Sequence, residues 1–269
     1  MFFPFKQLKH TPALYDLEYD EVWIPVPTKP GEIEPRETEP GIIEHKSTES
    51  LHSWWIPTST PDAPVILYFH HNAANIGANV SQALQLHQLG YAVFLFDYRG
   101  FGQSQGDFPI ESRLYEDAEA AWIYLTQTRQ IPSERIVIYG HSVGGAIAID
   151  LARRHPDAAA LVVHNSFSSM RDMTKRFGLY WLLPMELLLR QRFESEQKMR
   201  SITMPVLVIT GDQDIQIPVS MGIALYDAAA GSKDLIVVEG GGHDNHLAAL
   251  YQQQMQQFLN NAIAPIPPR

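Results

Sequence analysis

The 269-residue sequence contains no cysteine. Disulfides, thiolate metal sites and a cysteine nucleophile are therefore all excluded. No stretch approaches the ~20 consecutive apolar residues of a membrane-spanning helix. The N-terminal "MFFPFKQLKH" has an apolar patch but lacks the apolar core of a signal peptide. Basic residues are few: 20 Lys and Arg stand against 30 Asp and Glu, a formal net charge of −10, and the pI is near 5.5. That balance argues against nucleic acid as a partner. There is no fixed-period repeat and no His-Glu-x-x-His pattern. These absences predict a soluble, cytoplasmic protein, with "MFFPF" as a candidate for peripheral membrane contact.

What is present is a balanced globular composition, 45% hydrophobic and 19% charged. The length suits one large α/β domain with a sizeable core. After about residue 60 the chain alternates between two patterns. Short apolar runs read as buried strands: "PVILYFH" (64–70), "YAVFLFD" (91–97), 136–140, "AALVVHN" (159–165), "MPVLVIT" (204–210) and "DLIVVEG" (234–240). Between and after them, helical patterns are predicted over 78–90, closed by Gly90, over 112–128 with Ser112 as N-cap, and over 144–155, 217–230 and 246–262. Such βα repeats, with near-continuous apolar strands, predict a mainly parallel central sheet with helices on both faces.

Two regions break the rhythm. Residues 25–41 hold five prolines and four glutamates and read as an exposed loop. The flanking "EVWIPV" and "LHSWWIP" are expected to form an antiparallel hairpin at the sheet edge. Residues 167–201 carry "FGLYWLLPMELLLRQRF", an apolar, helical insertion between two strands. Residues after a strand end lie above the carboxyl edge of such a sheet. The insertion is thus a candidate cap, with Tyr180, Trp181, Leu182, Leu187 and Leu188 lining a substrate pocket. The alternatives are packing of those side chains onto the core, or an exposed patch meeting a membrane or a second subunit. The C-terminal "APIPPR" reads as a frayed tail.

The strongest chemical signal is Gly140-His141-Ser142-Val143-Gly144. It lies where a β-branched apolar run gives way to an alanine-rich helical pattern, matching the G-x-S-x-G elbow that displays a serine above a sheet. A serine hydroxyl is a weak nucleophile until a base takes its proton. "TGDQDIQIP" follows the next-to-last strand and offers Asp212 and Asp214; "EGGGHDNH" follows the last strand and offers His243 and His246. The order serine, acid, histidine with each residue just past a strand end favours Ser142, Asp214 and His243. In "DYRGFGQSQG", Asp97 and Arg99 are expected to pair or to brace the loop. Ser104 there lacks an elbow. The pairs His70/His71 and His243/His246 lack a nearby carboxylate set, so no metal is expected.

The segments "YFHHNAANIG", "FDYRGFGQSQG", "YGHSVGGA", "GDQDIQIP" and "GGGHDN" together resemble the α/β-hydrolase superfamily, in particular its small, short-capped esterase and thioesterase-like members. The resemblance covers roughly residues 51 to 260. It implies an α/β-hydrolase fold over the whole chain, with Asp214 as the acid and His243 as the base. It also implies an oxyanion hole formed by the backbone amides of Asn72 and Val143. One departure stands out: the family's loop reads His-Gly-Asn-Ala, whereas this one reads His70-His71-Asn72-Ala73. His71 is accordingly a candidate to reshape the hole or line the pocket.

The expected activity is cofactor-free serine hydrolysis of a small carboxylic ester or acyl thioester. A peptidase or a cofactor-free haloperoxidase on the same triad, and a non-catalytic binding module on the same scaffold, remain alternatives.

Overall fold

The computed structural model describes residues 3–27, 48–60, 62–176, 190–244 and 249–263. Its centre is an eight-stranded sheet. The strands are β2 (Asp20–Pro27), β3 (Thr48–Ile56), β4 (Val65–Phe69), β6 (Ala92–Phe96), β7 (Ile136–His141), β8 (Ala160–His164), β9 (Val206–Gly211) and β10 (Lys233–Val238). Their spatial order is β10-β9-β8-β7-β4-β6-β3-β2. All neighbours from β10 to β6 are parallel, and the β6–β3 and β3–β2 pairings are antiparallel, so β3 alone runs against the other strands. Two short strands, β1 (Phe3–Pro4) and β5 (Ala73–Ala74), pair separately.

Alternation along each strand divides the core in two. Leu67, Phe69, Phe94, Phe96, Ile138 and Val163 face one way, together with apolar residues of α2 (Glu111–Ile123), α3 (Val143–Arg154) and α6 (Val219–Ala228). Ile66, Tyr68, Val93, Leu95, Val137 and Val162 face the other, against α1 (Val80–Gln88) and α7 (Ala249–Ala262). Both faces of β4, β6 and β7 are thus dry, which is why those strands read as unbroken apolar runs rather than as alternating ones. The remaining short helices are α4 (Met170–Arg176) and α5 (Ser195–Met199). No helix among the described residues is long and apolar enough to cross a membrane.

Three details differ from expectation. The helix expected from Ser112 begins at Glu111, with Ile110 at its N-cap. Its first amide donates to the Gln191 side chain, and the Glu111 carboxylate in turn accepts from the amides of Arg192 and Phe193. A distant segment therefore fixes the helix start that a local cap was expected to set. The loop expected at 25–41 loses its first residues to β2, which continues through Pro25 to Pro27. An edge strand with one neighbour tolerates a missing N–H on its open side; residues 28–41 lie outside the described residues. Finally, of the two alternatives for Asp97 and Arg99, pairing is not what forms: each braces the region through its own partners.

Arg99 is 1% exposed and forms the hub of a buried ion cluster. Its Nε reaches Asp117 at 2.5 Å, and its two terminal nitrogens reach Glu116 at 2.8 Å and Glu49 at 3.3 Å. Asp97 instead accepts from the Ile76 amide at 2.9 Å. Ser104 donates to the Asp97 carbonyl and accepts from the His52 amide, a bracing role. Removing one partner of a buried ion pair strands the other charge, at a cost of about 3–5 kcal/mol. Arg99→Ala should therefore lower the free energy of unfolding by about that much, read from urea melts of variant and wild type.

Candidate active site

The chain must leave β7 and enter α3 within one residue, and Ser142 is that residue. Its φ of 58° and ψ of −123° lie in a region that side-chain-bearing residues seldom adopt. The turn closes only because its flanks carry no side chain. A Cβ on Gly140 would sit 2.3 Å from the Gly144 carbonyl oxygen, and one on Gly144 would sit 2.1 Å from the Phe69 carbonyl oxygen. The backbone of Ser142 is held at both ends: its amide donates to the His164 carbonyl at 2.9 Å. Its carbonyl accepts from Ser166 Oγ at 2.7 Å and from the Gly145 amide at 3.0 Å.

Loops after β9 and after β10 bring the other two groups to this turn. His243 Nε2 lies 3.0 Å from Ser142 Oγ, and His243 Nδ1 lies 2.7 Å from Asp214 Oδ2. The second oxygen of Asp214 accepts from the Gln216 and Ile217 amides at 2.7 and 2.8 Å. Burial alone would raise the Asp214 pKa, but the hydrogen bond from His243 and those two amides outweigh it, and the net shift is downward. Asp212, the rival acid, points elsewhere: its Oδ1 accepts from the Gly240 amide at 2.8 Å, tying the end of β9 to the end of β10. His246 lies outside the described residues.

Val143 is the first residue of α3, directly after the nucleophile candidate. Asn72 lies in the loop after β4, whose last carbonyl abuts Gly144. That loop is shaped by its own histidines. His70 Nδ1 donates to the His71 carbonyl at 2.8 Å, Tyr98 donates to the His70 carbonyl at 3.0 Å, and His71 Nδ1 accepts from the Ala73 amide at 3.3 Å. The pairing of β5 with β1 then lays the N-terminal segment alongside, and Asn75 Nδ2 donates to the carbonyls of Phe5 and Gln7. His71 is half-buried, with its ring 5.4 Å from that of His141. Tyr180, Trp181, Leu182, Leu187 and Leu188 lie outside the described residues, so of the expected pocket only His71 is described.

Two residues that the sequence did not single out for this purpose hold the histidine loop. Asn165 sits just past β8 with φ of 44° and is 1% exposed. Its Nδ2 donates to the carbonyls of Gly242 and His243 at 3.0 and 2.8 Å, and its Oδ1 accepts from the Gly211 amide at 2.9 Å. His141 Nε2 donates to the same His243 carbonyl at 3.0 Å. The only sequence signal was position: Asn165 ends an apolar strand run, as a site residue of such a sheet does.

The surrounding histidines are neutral. His141 is driven well below its ordinary pKa by burial first, then by His164, His71 and His243. Burial and His243 lower His164 to about 4, and its Nδ1 is hydrogen-bonded with the Tyr139 hydroxyl at 2.8 Å. Burial and His71 bring His70 down to about 3. The structure also sets an Asp244 carboxylate near His141 and His243, where the sequence suggested no nearby carboxylate.

The comparisons with known proteins agree with this architecture. Residues 60–192 match the family described as serine aminopeptidase, S33. Uncharacterized protein Rv2307c of Mycobacterium tuberculosis is 36% identical over 205 residues, covering 76% of this chain and 72% of that protein. Alpha/beta hydrolase domain-containing protein 17B of Homo sapiens is 34% identical over 212 residues, covering 76% and 69%. Among solved structures, the Pyrococcus furiosus esterase Pf2001 superposes with a TM-score of 0.76 at 20% identity, covering 98% of each chain. A Paleococcus ferrophilus monoacylglycerol lipase gives a TM-score of 0.59 at 17% identity, over 80% of this chain and 99% of that one. The chain belongs to the α/β-hydrolase family.

Two outcomes are expected of this geometry. Asn165→Ala should slow covalent labelling of Ser142 by a fluorophosphonate at least about tenfold, because a shift near 1 Å in a reacting group costs up to about a hundredfold. The second concerns acid stability. A carboxyl whose folded pKa is depressed adds stability that is complete above its unfolded pKa and is lost as pH falls through the folded one. The advantage of wild type over Asp214→Asn in urea midpoint should therefore be full at neutral pH and shrink below about pH 4.

Proposed function

We propose that the protein is a serine hydrolase acting on a carboxylic ester or an acyl thioester. The observation that carries this reading is the continuous path from Ser142 Oγ through His243 to Asp214, at 3.0 and 2.7 Å, set on a strained elbow. His243 takes the Ser142 proton as Oγ attacks the acyl carbon. Asp214 fixes the imidazole with Nδ1 protonated and steadies the charged form that results. The negative oxygen of the tetrahedral intermediate is held by the Val143 and Asn72 amides, the first reinforced by the N-terminal dipole of α3. The proton then passes from His243 Nε2 to the leaving group. A water molecule, deprotonated by the same nitrogen, releases the acyl group and restores Ser142.

Burial keeps His70, His141 and His164 neutral, so none competes with His243 as a cationic partner of Asp214. The cap over residues 167–201, with Tyr180, Trp181, Leu182, Leu187 and Leu188 as an acyl pocket, is part of the proposal and rests on the apolar composition of that insertion. Peripheral membrane contact through the N-terminal segment is a further part, supported by exposed Phe5 and Leu14 with Lys6 and Lys9 among them. The cytoplasmic assignment rests on the absence of cysteine and of a long apolar run. A peptidase is the second reading, favoured by the description of the matched family.

A fluorophosphonate probe should label Ser142 in the wild type, with the modified peptide identified by mass spectrometry. Labelling should vanish in Ser142→Ala, and ester turnover should fall by at least about 10⁴. His243→Ala should slow both. A folded wild type that takes no label would sink the catalytic reading in favour of a binding module. Faster release from aminoacyl amides than from matched esters would favour the peptidase.

A further inference from the structure

Three side chains of metal-ligand type meet beside the elbow, and the hydrolytic scheme does not use them together. One nitrogen each of His141 and His243 and a carboxylate oxygen of Asp244 lie within 4.8 Å of one another. His141 is 2% exposed. Its Nε2 proton is committed to the His243 carbonyl, so the neutral ring carries its lone pair on Nδ1, and among the described residues that atom has no hydrogen-bond partner. A buried acceptor without a donor is costly. Asp244 is exposed, so the cluster opens to solvent on its acidic side.

We propose that His141, His243 and Asp244 form a binding site for a divalent transition metal of the zinc class, and that its occupancy reversibly silences the hydrolase. The silencing rests on the function proposed above; the site itself does not.

The ligand chemistry selects the ion. Two imidazoles with one carboxylate suit zinc, whereas magnesium and calcium call for sets made of oxygen. Three protein ligands leave a fourth position for water. Zinc holds nitrogen and oxygen ligands at about 2.0–2.2 Å, so the three groups must draw together by up to about 1.5 Å. Asp244, the exposed member, would close the set from the solvent side. The cost to catalysis follows from His243, whose two ring nitrogens are already engaged, one with Ser142 and one with Asp214. Either nitrogen given to a metal breaks one of those bonds. A lone pair given to zinc no longer accepts the serine proton, and a displaced Asp214 no longer orients the ring.

Equilibrium dialysis of the full chain against zinc chloride, read by elemental analysis, tests the site directly. The wild type should bind about one zinc per chain. Asp244→Asn should weaken binding at least about tenfold, the smallest loss expected even for a group that supports a ligand from outside. His141→Gln should do the same, and because Asp244 is exposed, its variant does not depend on the elbow tolerating a change. In parallel, zinc should slow fluorophosphonate labelling of Ser142, chelation with EDTA should restore it, and Asp244→Asn should need a correspondingly higher zinc concentration for the same slowing. No stoichiometric zinc, unchanged affinity in both variants, or equal retention of magnesium would overturn the site. Zinc that binds without slowing the label would overturn the silencing. A wild type that takes no label even without zinc would defeat the serine-hydrolase reading and the silencing with it, while dialysis would still decide the site.

Discussion

Everything at the site depends on one close backbone approach. For Ser142 to stand at the end of β7, the first turn of α3 must nearly touch the ends of β7 and β4, leaving no room for a side chain at position 140 or 144. The serine is forced into a φ of 58°, a conformation costing of order 1–3 kcal/mol that persists only where neighbours over-determine it. The neighbours do so through three hydrogen bonds to the Ser142 backbone, two of them from β8 and the segment after it. The elbow is therefore not a property of its pentapeptide alone. It exists because β8 lies in register beside β7, with His164 opposite His141.

The same strand ends carry the candidate base. Asn165 follows His164 directly and is itself in a left-handed conformation. That backbone aims its amide side chain across the end of β9 at the histidine loop, where it meets Gly211, Gly242 and His243. His141 reaches the same His243 carbonyl from the elbow side. One carbonyl oxygen thus collects a donor from the strand-to-helix turn and another from the neighbouring strand end. The position of the catalytic histidine candidate is tied to the position of the serine by protein hydrogen bonds rather than by loop length.

How much of this could be read from the sequence followed the range of the interactions responsible. Strands β4, β6, β7, β8 and β9 were legible as apolar runs because burial on both sheet faces writes itself into consecutive residues. The elbow was legible for the same reason, since its glycines answer to clashes with the chain's own next turn and with the adjacent strand. The choice between Asp212 and Asp214 was weaker in the sequence, because both occupy one loop and only the direction of each carboxylate separates them. Asn165 was marked in the sequence only by its place at a strand end, because its partners lie 46, 77 and 78 residues away. The start of α2 was misplaced for a like reason, as Gln191 and the amides of residues 192 and 193 supply the contacts that a local Ser112 cap was expected to provide.

His71, standing where the family's loop carries glycine, and His141, directly before the serine, take distinct parts beside the elbow. His141 cannot be a second base, since its Nε2 proton is spent on the His243 carbonyl and burial keeps the ring neutral. His71 cannot simply replace a glycine without effect, since its ring meets that of His141 at 5.4 Å and its Nδ1 takes the Ala73 amide. With Nδ1 acting as acceptor, the neutral His71 ring carries its proton on Nε2, which makes it a donor at the edge of the site. A glycine in that place offers space; this histidine offers a hydrogen bond and removes the space. The loop after β4 therefore carries a ring with a hydrogen-bond donor where a glycine would leave open space.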